Sequence, residues 1–185
     1  MALITQSGEE TLNIGDNAPE FRDLPGVDGR SYSLDSFKDS KAVVISFTCN
    51  HCPYAQAYED RFMDLVREFS PKGVAFIAIN SNDDKNYPDD SFDKMKERAQ
   101  SRQFTFPYVR DDSQETARSF GAVCTPHIFV LDQDRKLVYE GGIDDNWKEP
   151  EKAKPQLRSA LEAIVNDQPV QEPRTNPLGC SIKWK

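Results

Sequence analysis

Cys49, Asn50, His51 and Cys52 set two thiols either side of a two-residue spacer. The pair lies where an apolar run of strand character, Ala42 to Phe47, gives way to a segment of helical character, Pro53 to Phe69. A helix starting at Cys52 leaves its first backbone N–H groups unpaired and pointing back at the Cys49 sulfur, and its dipole adds about half a positive charge there. That environment favours a thiolate. Lowering a thiol from about 8.5 to about 6 raises its ionised fraction at pH 7 from about 3% to about 90%, a shift worth roughly 3.4 kcal/mol. His51 adds an imidazole that, when protonated, would stabilise the same charge. The chemistry expected of Cys49 and Cys52 is thiol–disulfide exchange.

The elements that hold this pair can be read from the residue pattern. Tyr54, Tyr58, Phe62, Leu65, Val66 and Phe69 fall on one helical face, and charged residues lie between them. Pro53 marks the first turn, where a missing N–H costs nothing. Before the strand, Asp23 to Gly26 and Asp28-Gly29 are turn signals that predict a hairpin within residues 13 to 40. After the helix, Val74 to Ile79 reads as a strand buried on both faces, completing a right-handed parallel crossover. Asp90 is a plausible N-cap for a helix carrying Phe92, Met95 and Ala99, and Phe104 to Val109 is a further strand candidate. A short helix from about Ser113 to Phe120 ends at Gly121, and His127 to Leu131 with Lys136 to Glu140 reads as an antiparallel hairpin. Leu157, Leu161, Ile164 and Val165 define the last helix, and prolines 169, 173 and 177 predict an extended tail from Gln168.

Composition narrows the function classes. With 185 residues, 37% hydrophobic and 29% charged, the chain fits one folded domain with extensions, and no apolar stretch of about 18 residues is present to cross a membrane. The 31 acidic and 23 basic residues leave a net charge of −8, which argues against nucleic acid as a partner. Met1 to Glu10 has neither a basic start nor an apolar core, so no secretory signal is read there and the expected location is cytoplasmic. In that compartment the four cysteines are expected to be catalytic or metal-binding before they are a disulfide framework.

The order of elements, the C-x-x-C at a strand-to-helix junction and Thr125-Pro126 before a hairpin resemble the thioredoxin-like superfamily. Within it, Gly15 to Phe21, Gly26 to Gly29, Leu34 to Phe37 and the inserted strand–helix unit at residues 74 to 103 are most similar to the redoxins grouped with alkyl hydroperoxide reductase and thiol-specific antioxidant proteins. The ending Gly179 to Trp184 also resembles that of a little-characterised redoxin subgroup. The resemblance implies an α/β fold with a central mixed sheet flanked by helices: an N-terminal segment at 1–12, the redoxin domain at 13–166 and an extended tail at 167–185. It also implies a cis bond before Pro126, with the Thr125 backbone pairing with substrate polypeptide at a free strand edge. Cys49 would be the exposed nucleophile and Cys52 the buried resolving thiol. No carboxylate lies in the strand before the motif, which leaves the general base unassigned. Thr48 stands four residues before Cys52, where peroxiredoxins have a spacing of three.

The remaining candidates are weaker. Cys124 and Cys180 are either inert buried thiols or auxiliary thiols that form a second pair or pass electrons to Cys49. Being isolated, they do not complete a zinc site with the first pair, so no metal and no other cofactor is expected. Asn82 to Asn86 lacks the glycine and glutamate of a calcium loop and reads as a solvated connection, and Trp147 as a packing residue. The function expected is a thiol–disulfide oxidoreductase acting on protein or small-molecule disulfides, with an unidentified electron donor and without a membrane partner. A thiol peroxidase and a non-enzymatic redox-sensing or binding module are the alternatives.

Overall fold

The turn at Asp28-Gly29 folds the first described part of the chain into a small antiparallel hairpin, β1 (Leu24–Pro25) and β2 (Ser31–Tyr32). Asp28 fixes it by accepting from the Arg30 N–H at 3.0 Å and the Tyr32 hydroxyl at 2.5 Å. The computed structural model describes residues 12–185, so the N-terminal segment assigned to 1–12 lies, apart from Leu12, outside the described residues.

β3 (Ala42–Phe47) follows, and α1 (Pro53–Phe69) carries the chain across to β4 (Val74–Asn80), parallel to β3. α2 (Phe92–Arg102) then leads to β5 (Tyr108–Arg110), parallel to β4. α3 (Glu115–Phe120) and β6 (Cys124–Thr125) precede the hairpin of β7 (His127–Leu131) and β8 (Leu137–Gly141). α4 (Gln156–Val165) and the short β9 (Cys180–Ser181) complete the order. The central sheet runs β5-β4-β3-β7-β8, with β7 and β8 antiparallel. No described helix is long and apolar enough to cross a membrane.

β3 is buried along its whole length because alternate side chains feed two cores. Ala42 and Val44 pack with Tyr58, Phe62, Leu65 and Phe69 of α1 and Leu157 and Leu161 of α4. Val43, Ile45 and Phe47 face Ile77, Ile79 and Phe129, with Ala117 and Phe120 of α3. The sheet is thereby clamped between helices, and the end of β3 is a rigid support.

Four expectations need correction. Phe104 to Val109 is strand only from Tyr108, because Pro107 has no N–H to give a ladder; Phe104 and Phe106 instead stack on each other at 4.7 Å. Ser91, not Asp90, caps α2, its side chain accepting from the Lys94 N–H. The loop after β4 is not simply solvated: Asn82 and Asp83 are buried, because residues near the C-terminal end lie over them. The tail is extended as expected, but it does not leave the Thr125 edge free, since β9 pairs antiparallel with β6. An open edge is a liability, and here the chain covers its own.

Candidate active site

Where β3 ends, the Thr48 N–H still bonds to Ile79 O at 2.9 Å, and then the chain turns into the C-x-x-C. Cys52 is the N-cap of α1 and Pro53 occupies the first helical position, where its ring fits the start of a helix. Opposite stands the Thr125–Pro126 peptide bond, which is cis as the resemblance implied. Its backbone and side chain meet both sulfurs: Cys49 Sγ lies 3.1 Å from Thr125 Oγ1, and Cys52 Sγ 3.3 Å from the Thr125 carbonyl oxygen. All four cysteines are thiols.

The charge of the reduced pair is divided unequally. Cys52 is lowered to about 5, chiefly because Cys49 hydrogen-bonds to it; Cys180 and the N–H of Ala55, in the first turn of α1, act in the same direction against burial. Cys49 is pushed up, first by giving that hydrogen bond, then by burial and by the carboxylate of Asp90. The first turn of the helix thus favours negative charge on Cys52. The exposed nucleophile expected at Cys49 is also absent from this arrangement, since Cys49 is 2% exposed and Cys52 0%.

Asp90 is the residue the sequence did not reveal. Freed from capping, its buried carboxylate accepts the Asn50 N–H at 2.6 Å and pairs with His51 Nδ1. Asn80 and Asn82 also donate to it, at 3.3 and 2.9 Å. His51 is stacked on Tyr87 with ring centroids 5.5 Å apart, and its Nδ1 is taken by Asp90. Asn50 is held in turn by the Tyr108 hydroxyl at 2.8 Å and by Gln56 Nε2 on its carbonyl at 2.7 Å. This network fixes the turn between the two cysteines. A polar atom each of Cys49, His51 and Asp90 lies within 4.8 Å of the others, so these three are the described groups that could converge on a metal ion, at the cost of opening the His51–Asp90 bond.

The auxiliary thiols separate. Cys124 is buried, points its Sγ at Pro126 O and is pushed up to about 12, chiefly by burial, as an inert thiol would be. Cys180 is half-buried, packs against Cys49 and Cys52 and sits opposite Thr125 in the β6–β9 register. Trp147 packs against Tyr54 at 4.7 Å, as expected.

Known proteins are similar to this chain in sequence and fold. An uncharacterized conserved protein from Geobacillus kaustophilus is 40% identical, with a TM-score of 0.87 over 95% of this chain and 94% of that one. A hypothetical protein from Sinorhizobium meliloti 1021 is 31% identical, with a TM-score of 0.89 over 95% and 97%. A protein named thiol-disulfide oxidoreductase ResA, from Bacillus cereus, is 26% identical over 134 residues, 72% of each chain. Residues 14–140, which run from before β1 almost to the end of β8 and include the C-x-x-C and the cis-proline, match the AhpC/TSA family. The chain belongs to the AhpC/TSA family.

Proposed function

We propose that this thioredoxin-like oxidoreductase works by exchange between a Cys49/Cys52 dithiol and a disulfide substrate. The observation that carries the reading is the pair of neighbouring thiols facing the cis-proline, both within hydrogen-bonding reach of Thr125. Cys49 gives its proton toward Cys52 and attacks one substrate sulfur, forming a mixed disulfide and releasing a substrate thiolate. Cys52, whose proton passes to the released substrate thiolate, attacks the Cys49 sulfur; the Cys49–Cys52 bond forms, the mixed disulfide breaks, and the second substrate sulfur leaves as a thiolate that takes a proton from solvent, as the Cys49–Cys52 pair has given up both of its own. Two electrons pass to the substrate. The hydrogen bond from Thr125 favours the Cys49 thiolate, and the Asp90 carboxylate opposes it. Substrates are disulfides of proteins or small molecules, a thiol donor restores the pair, and the setting is the cytoplasm.

The test is an equilibrium redox titration in glutathione buffers, with alkylation and mass spectrometry reading each cysteine. Joint, reversible protection of Cys49 and Cys52 between about −270 and −120 mV is the expected result. A pair that never closes across that range would remove the exchange mechanism.

A further inference from the structure

Three of the four cysteines gather at one point, and the third arrives on the C-terminal segment. Cys180 packs against the Cys49 and Cys52 side chains, and it stands opposite Thr125, the residue that meets both of their sulfurs. The register of Cys180 is not loose. A β-carbon on Gly179 would fall 2.2 Å from the Thr125 oxygen, so only glycine lets the segment lie this close. Beyond it, the Ile182 N–H bonds to Val123 O at 3.2 Å, and the Ile182 side chain is 4% exposed within the core under α3. Lys183 bonds to Asn82 Oδ1 at 2.9 Å through its N–H, and its carbonyl accepts from the Asp83 N–H at 2.7 Å. On the other side of Cys180, Thr175 bonds to Glu140 O at 3.0 Å and Arg174 pairs with Glu140 at 3.0 Å. The segment takes the edge that a substrate strand would occupy, and it brings a thiol.

We propose that Cys180 is a third redox thiol of this site, which exchanges with the Cys49–Cys52 disulfide and is the point where a dithiol reductant enters. The inference rests on the exchange reading above. In the step, the Cys180 thiolate attacks the Cys52 sulfur; the Cys52–Cys180 bond forms, the Cys49–Cys52 bond breaks, and Cys49 leaves with the electron pair and takes up the proton that Cys180 lost. Nothing is oxidised or reduced overall. A dithiol donor then attacks the half-buried Cys180 sulfur, Cys52 departs as thiolate, and the donor's second thiol completes the release of Cys180, leaving the donor as a disulfide.

The raised Cys180 and Cys49 slow the first move, and the lowered Cys52 speeds the second. Cys180 is raised to about 11 by burial and by Cys52 as a neighbouring charge, and the second cause disappears once Cys52 is in a disulfide. Asp90 beside Cys49 favours the protonated Cys49 that the exchange produces. Cys52, with the lowest value of the three, is the best leaving group when the donor attacks.

The test oxidises the full chain with glutathione disulfide, quenches it with acid and alkylating agent, and maps the linkages by mass spectrometry. A Cys52–Cys180 linkage beside Cys49–Cys52 is expected in the native protein. Cys180→Ser should hold only Cys49–Cys52 and be reduced by dithiothreitol at least tenfold more slowly. Gly179→Ala, which keeps every thiol but forces the register apart, should lose most of the Cys52–Cys180 linkage. If Cys49–Cys52 closes but Cys180 is never linked and Cys180→Ser is reduced at the native rate, this inference falls and the exchange reading stands. If no linkage forms at Cys49 or Cys52 in the native protein, both fall.

Discussion

At Cys52 a single side chain collects the effects that decide reactivity. A group whose pKa is lowered is charged above it, so the first thiolate of the reduced protein should appear as pH rises through about 5 and disappear below. The ultraviolet absorbance of the thiolate reads this without requiring access to a buried sulfur, and a first midpoint near the ordinary thiol value of about 8.5 would contradict it. Asp90→Asn tests the other half of the pair. Its charge opposes ionisation of Cys49, so removing it should bring the second thiolate step to lower pH. The dithiol was legible because Cys49 and Cys52 are neighbours in the chain and a strand-to-helix junction has a local signature. Asp90 was not, since an acid before a helix has a sufficient local explanation as a cap, and its bond to His51 joins residues 39 positions apart.

At the scale of elements, sequence and structure agree where one period dominates. β3 and α1 begin and end where the apolar run and the helical stripe do, because the stripe from Tyr58 to Phe69 packs in one core with Ala42 and Val44 of β3 and Val74 and Phe76 of β4. They diverge at β5, where aromatic residues that look like a strand serve instead as packing for α1. Phe62 meets Phe76 at 5.6 Å and Phe106 at 5.0 Å, both edge-on. Phe62→Ala should therefore cost about 3–5 kcal/mol, seen as a lower urea midpoint with the slope little changed. A loss under about 1 kcal/mol would mean that the aromatic cluster collapses into the space and that the helix is positioned by α4 instead.

Taken as a whole, the molecule closes its reactive centre with its own C-terminal segment, and this was not legible because prolines predict only that the segment is extended. Its path is set by contacts far along the chain: Ile182 in the core under α3, Trp184 over the Arg118 guanidinium at 4.3 Å, and Lys185 on Gln114 at 3.0 Å. Burying an isoleucine contributes about 2 kcal/mol, so the segment is held firmly and does not merely rest on the surface. A chain shortened after Pro177 should lose about 2–4 kcal/mol of stability, from that burial and the lost backbone bonds. It should also uncover Cys49 and the β6 edge, so that alkylation of Cys49 at pH 8 runs at least tenfold faster while the thiolate step of Cys52 moves upward, because Cys180 no longer lowers it. Both changes belong to one cause. If alkylation quickened while the Cys52 step stayed in place, the segment would be a cover without a part in the chemistry; if alkylation did not change, α1 and Pro126 alone would be what screens the dithiol.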